Sequence, residues 1–195
     1  MIKQIIFDVM GVVFTEGDDV GGLLVPYIQS IKPGVTAEKI NELYLAASLG
    51  KISSHEFWAR AGFEQNAIAE TERIYLETSF ALDAEFVPFA MALKGRCGIA
   101  LLSNDVSEWS AYLRKFFQLE HLIGRAFISG DLGFRKPDPR IFFAALEGLR
   151  AEPHECIFID DRTANVEAAS KLGIYSCLYD KTRGCNFEQI EKKLP

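Results

Sequence analysis

A small set of polar residues stands at the ends of apolar runs in this sequence, and their types define a narrow chemistry. Asp8 closes the run Gln4–Phe7, Ser103 and Asn104 follow Ile99–Leu102, and Asp160 and Asp161 follow Cys156–Ile159. Lys136 lies in Gly130-Asp131-Leu132-Gly133-Phe134-Arg135-Lys136-Pro137-Asp138-Pro139, where two glycines and two prolines fix a defined path. In one cleft, Lys136 would neutralise several carboxylates or a bound phosphate. Taken singly, an Asp or Ser after a strand is an ordinary turn former or helix cap, and a lysine an ordinary solvated residue. Four such ends, counting Ser129 after Ala126–Ile128, make coincidence a poor account. Other chemistries lack their signatures: there is no GxGxxG, Walker A, GxSxG or HExxH motif. His55, His121 and His154 lie away from every strand end and read as structural, which argues against a histidine metal site or a Ser-His-Asp hydrolase.

The elements that must position these residues follow from periodicity. The runs named above, with Tyr175–Tyr179, lack strict alternation, as expected of parallel strands covered on both faces. Helical patterns, such as Val106–Phe117 and Arg140–Leu149, separate the later ones. The expected class is therefore α/β, with a Rossmann-like parallel sheet whose ligands bind beyond the carboxyl ends of the strands. Between the first two strands lie about 90 residues where one crossover needs about 30. That stretch reads helical at Leu23–Ile31, Thr36–Leu49 and Ile68–Phe80, with a Ser53/Glu56 capping box before Phe57 and Trp58. The economical reading is a small all-helical domain at residues 15–82, inserted into a core of residues 1–14 and 83–195. Glu85–Lys94 is then the helix entering the second strand. Phe14, Tyr27, Phe57 and Trp58 read as core before they read as pocket lining.

Composition bounds the partners. The chain of 195 residues supports one sizeable core, and its formal charge of −6 argues against broad contact with nucleic acid or anionic membrane. No apolar run approaches the ~20 residues of a membrane span, and Asp8 interrupts the first apolar stretch too early for a secretory signal. Cys97, Cys156, Cys177 and Cys185 form no CxxC pair and read as free thiols of a soluble, cytoplasmic protein. Nothing in the sequence sets an oligomeric state.

In order, Asp8-Val9-Met10-Gly11-Val12-Val13, Ser103-Asn104, Lys136-Pro137 and Asp160-Asp161 resemble the four motifs of the haloacid dehalogenase (HAD) superfamily. The match spans essentially the whole chain, and the helical insert looks like that family's C1-type cap. The segments GKISSHEFW, SGDLGFRKPDPRIF and FIDDRTANVEAASKLGI resemble the branch of sugar-phosphate phosphatases and the N-terminal phosphatase domain of soluble epoxide hydrolase. The resemblance implies a small phosphorylated substrate and an aspartyl-phosphate formed on Asp8. Ser103, Asn104 and Lys136 would hold the phosphoryl group. Mg²⁺ would lie between Asp8, Asp161 and the Met10 backbone carbonyl, with Asp160 beside it, although one sequence leaves the order of Asp160 and Asp161 open.

One position departs from the pattern. Phosphatases of this family usually carry a second Asp two residues after the nucleophile as general acid and base, and here that residue is Met10. A thioether carries no proton to give, and such catalysis is worth roughly 10²–10⁴-fold. Some members of the sugar-phosphatase branch also lack this Asp. The sequence thus supports a slow Mg²⁺-dependent phosphatase, with two alternatives. One is a metal-free 2-haloacid dehalogenase, and the other is a non-catalytic binding or regulatory protein on the same fold.

Overall fold

The computed structural model describes residues 1–180 and 186–191. Its centre is a parallel sheet of five strands: β1 (Gln4–Phe7), β2 (Gly98–Ser103), β3 (Arg125–Ile128), β4 (Cys156–Asp160) and β5 (Tyr175–Leu178). The strand order is β3-β2-β1-β4-β5. The chain builds outward from β1 to β3, then returns to the other side of β1 for β4. Strand order reverses there, so the ends of β1 and β4 flank the natural binding crevice.

The missing alternation in the sequence has a direct cause. Ile5, Phe7, Ile99, Leu101, Ile157 and Ile159 belong to one buried cluster, whereas Ile6, Ala100, Leu102 and Phe158 belong to another. Both faces of each inner strand are therefore apolar. Helices α8 (Pro139–Leu149) and α9 (Thr163–Lys171) cover the second face with Ile141, Phe142, Ala145 and Ala169. On the first face lie α5 (Phe86–Leu93) and α6 (Ser107–Phe116), through Phe86, Phe89, Leu93, Trp109 and Leu113. A final helix, α10 (Phe187–Glu191), adds Phe187, stacked 4.7 Å from the ring of Phe89.

Between β1 and β2 the chain forms α1 (Val25–Ile31), α2 (Ala37–Ala47), α3 (Ser54–Arg60) and α4 (Ile68–Thr78). It leaves and re-enters the α/β layers through one crossing, where Thr15 N donates to Ala81 O at 3.0 Å and Asp83 N to Val13 O at 2.9 Å. Ser53 caps α3 by accepting from Glu56 N at 3.1 Å, but the Glu56 carboxylate turns outward to Arg60. Phe14, Phe57 and Trp58 are buried in the same cluster as the first sheet face, and Tyr27 packs against it. These aromatics are core.

Three local features differ from expectation. Asp19–Leu24 forms a turn of π-helix before α1, begun by the Asp18 side chain accepting from Gly21 N. The single turn α7 (Ser129–Leu132) opens the loop that carries Lys136, and Gly133 closes it with φ of 73°. Cys97 and Cys156 are free thiols as expected, but Cys177 is disulfide-bonded, which corrects the reading at that position. Cys177 lies on the edge strand β5, only partly buried, where a thiol is open to pairing; Cys185 lies outside the described residues. No helix among the described residues is long and apolar enough to cross a membrane.

Candidate functional site

Asp8 directly follows β1, and its backbone N–H extends the ladder by donating to Ile159 O at 2.8 Å. That bond fixes the carboxylate at the mouth of the crevice. Its Oδ1 accepts from Val9 N at 2.7 Å and lies 2.6 Å from Lys136 Nζ. The same ammonium reaches Asp160 Oδ2 at 2.7 Å, so one buried cation joins the ends of β1 and β4. Lys136 arrives there because Asn104 grips its backbone. Asn104 Oδ1 accepts from Lys136 N at 2.7 Å, and Asn104 Nδ2 donates to Lys136 O at 2.9 Å. The carboxamide of Asn104 is thus spent on positioning Lys136.

The adjacent aspartates differ. Asp160 is fully buried and saturated: Arg162 N donates to Oδ1 at 2.8 Å, Asn165 Nδ2 lies 3.0 Å from both oxygens, and Lys136 occupies Oδ2. Asp161 Oδ1 is buried with no hydrogen-bond partner, as is Ser103 Oγ. Asp161 Oδ2 fits against bare backbone, because a Cβ on Gly11 or Gly17 would come within 2.3 or 2.4 Å of it. Gly11 also has φ of +76°, so both the turn and the carboxylate require glycine there.

Carboxylate oxygens of Asp8, Asp160 and Asp161 lie within 4.8 Å of one another. Three carboxylates against one ammonium leave two uncompensated negative charges. Burial pushes the Asp8 carboxyl up to about 7; Lys136 opposes that shift and Asp160 adds to it. Burial, then the Asp160 charge, also raises Asp161. Burial works against the Lys136 ammonium, but Asp8 and Asp160 outweigh it and hold its pKa above the ordinary lysine value. A divalent cation would offset those charges, and the orphaned Asp161 Oδ1 is a hard oxygen donor suited to Mg²⁺.

The cluster opens into a cleft of about 310 Å³. Asp8, Met10, Asn104 and Lys136 line it together with Asp19, Tyr44, Arg135 and Arg162. Met10 is buried in the apolar cluster with its flank on the cleft. The structure therefore brings the expected Asp8, Ser103, Asn104, Lys136, Asp160 and Asp161 to neighbouring strand ends. Ser129 goes elsewhere: its Oγ accepts from Asp105 N at 3.0 Å and donates to Ser48 O at 2.6 Å. All three histidines are exposed, and none lines the cleft.

Sequence reasoning missed Asn165, Asp19, Arg135 and Arg162. Asn165 had a usable signal, because it sits in the first turn of the helix after β4, next to the polar strand end. Tyr44 was legible only as an apolar helix face. It is indeed buried, yet its hydroxyl reaches Asp19 Oδ2 and Asn104 O, each at 2.9 Å.

One neighbour makes stability depend on pH. Asp105 is buried, its Oδ1 accepts from Val106 N at 2.7 Å, and its Oδ2 has no partner. Burial and then the Asp19 charge push its pKa up to about 8. An unfolded aspartate titrates near ~3.9, so the native chain holds an extra proton between about pH 4 and about pH 8. Stability therefore falls as pH rises through that window. Denaturant unfolding at about pH 5 and about pH 8 should show a smaller loss for Asp105→Asn than for the wild type. The difference should be on the order of 1 kcal/mol per pH unit, and equal losses would mean that Asp105 is already ionised in the fold at the lower pH.

Comparison with known proteins bears on this geometry. The family profile described as haloacid dehalogenase-like hydrolase matches residues 2–173. The chain is 24% identical over 184 residues to D-ribitol-5-phosphate phosphatase of Bacteroides thetaiotaomicron, covering 89% of each protein. A HAD family enzyme of Bacteroides thetaiotaomicron superposes with a TM-score of 0.77 at 20% identity, over 97% of this chain and 98% of that one. A structure of that enzyme in complex with magnesium and inorganic phosphate gives a TM-score of 0.74 at 21% identity, over 97% and 99%.

Proposed function

The chain belongs to the haloacid dehalogenase-like hydrolase family, and from that premise we propose that it is a Mg²⁺-dependent phosphatase of a small, sugar-phosphate-type metabolite. One observation carries the reading. A buried ammonium is clamped between two carboxylates, with an unpartnered carboxylate oxygen and an unpartnered hydroxyl at the adjoining strand ends. The phosphatase relative and the neighbour holding magnesium and phosphate support the same chemistry.

Asp8 is the nucleophile: its carboxylate attacks phosphorus, the ester oxygen leaves, and water later hydrolyses the aspartyl-phosphate. Lys136 holds a phosphoryl oxygen and keeps Asp8 ionised, and Ser103 Oγ donates to a second oxygen. Asn104 is a positioning residue for Lys136, and Asp160 orients the ammonium from the other side. Asp8, Asp161 and the Met10 carbonyl would hold Mg²⁺, with Asp161 favoured over Asp160 because the oxygens of Asp160 are already occupied. Bound there, the ion supplies positive charge against the phosphoryl oxygens. Residues 15–82 act as the cap that closes the cleft.

Phosphate release should be measured across sugar phosphates, acyl phosphates and nitrophenyl phosphate, with and without Mg²⁺. Metal-dependent release is expected. Metal-free chloride release from a 2-chloro acid would favour the dehalogenase alternative. Calorimetry gives a separate check: Asp161→Asn should weaken Mg²⁺ binding strongly, whereas unchanged affinity would move the ligand role to Asp160.

A further inference from the structure

The cleft lining contains a buried carboxylate that the phosphoryl chemistry does not use. Asp19 is only 8% exposed, and Tyr44 Oη donates to its Oδ2 at 2.9 Å. Among the described residues nothing donates to Oδ1, although Asp19 lines the cleft with Asp8 and Lys136. Asp19 is thus a nearly buried carboxylate on the cleft lining, with Tyr44 fixing one oxygen and the other left as an acceptor for a ligand donor.

The surroundings select the donor's chemistry. Arg135 is held by Ser48 and lies over the Tyr44 ring, 5.4 Å from its centroid, and Arg162 donates to Gly17 O at 2.9 Å. Asp18 and Asp19 line the same cleft, so the four formal charges there sum to zero. A neutral group bearing hydroxyls would find an open acceptor.

We propose that Asp19, steadied by Tyr44, is the specificity-determining residue that accepts a hydrogen bond from a hydroxyl on the carbon skeleton of the phosphorylated ligand. This deepens the phosphatase reading and rests on the same cleft. It assigns the substrate to phosphate esters that carry hydroxyls on their carbon skeleton, and it disfavours bare aryl esters.

Binding tests it without turnover. In the Asp8→Asn background with Mg²⁺, calorimetry should compare glucose 1-phosphate and ribose 5-phosphate with phenyl phosphate. Asp19→Ala should lower affinity for at least one sugar phosphate about ten- to hundredfold more than for phenyl phosphate, the scale of one hydrogen bond to a charged group. Asp19→Asn should lose less, because its amide oxygen still accepts, and Tyr44→Phe should loosen the same discrimination while leaving the carboxylate in place. Equal losses for all three ligands, or sugar phosphates that bind no better than phenyl phosphate to Asp8→Asn itself, would overturn the assignment. The phosphatase reading fails separately, if wild-type protein with Mg²⁺ releases phosphate from no ester.

Discussion

Asp8→Asn should abolish phosphate release, by on the order of 10⁴–10⁶-fold, because the variant removes the carboxylate proposed to attack phosphorus. The substitution is nearly isosteric, and the environment limits its collateral cost. Lys136 keeps its 2.7 Å contact with Asp160, and the Asn104 grip on the Lys136 backbone does not involve position 8. The variant should therefore fold, with the ammonium in place and the nucleophile gone. Beryllium fluoride should bind the wild-type protein as a phosphoryl mimic on Asp8 and fail to bind Asp8→Asn. Turnover retained in a folded Asp8→Asn protein would end the nucleophile assignment.

The opposite change is expected at Met10. With Met10 where the proposed mechanism would use an acid, wild-type rates should depend steeply on how stable the leaving group is alone. Anomeric sugar phosphates, acyl phosphates and nitrophenyl phosphate should exceed simple alkyl esters such as glycerol phosphate. Hydrolysis of the aspartyl-phosphate should also be slow, since no base at this position activates water. Met10→Asp returns a carboxyl to the cleft wall beside both events, and turnover of poor leaving groups should rise by up to ~10²–10⁴-fold. Good leaving groups should gain less. The substitution also costs stability, because Met10 packs in the apolar cluster, but its flank on the cleft gives a carboxylate a route to water. A folded Met10→Asp protein with no gain on any ester would favour a non-catalytic role for the fold.

These two expectations draw on different sources. Asp8, Ser103, Lys136 and the Asp160-Asp161 pair were readable from sequence because each follows a short apolar run or a proline-bounded loop. A parallel sheet places such ends together, whatever the details of packing. The inner strands were equally readable, since a strand buried on both faces must be apolar throughout, and β1 runs over Gln4–Phe7 as the sequence indicates; the edge strands β3 and β5 are only partly buried, against that expectation. The long insert announced itself by length, and its helical character by apolar periodicity.

What the sequence could not rank was Asp160 against Asp161. Neighbours on a strand end point to opposite sides, and only the fold decides which side holds Asn165, the Arg162 N–H and Lys136. That side belongs to Asp160, which leaves Asp161 Oδ1 unpartnered between Gly11 and Gly17. Asn104 was legible as a site residue, but its service to the Lys136 backbone depends on two loops that meet from 32 residues apart. Asp19 was invisible for a related reason. It lies in an irregular π-turn with no periodic signal, and its partner Tyr44 reads as one more apolar position on α2. By itself, the sequence determined the layered α/β architecture, the helical insert and the charged residues at the strand ends, because apolar periodicity and strand-end chemistry are local. Tertiary structure decided which carboxylate is saturated, which is left open, and which residues of the helical insert face the cleft, because each depends on desolvation and hydrogen bonding between segments distant in the chain.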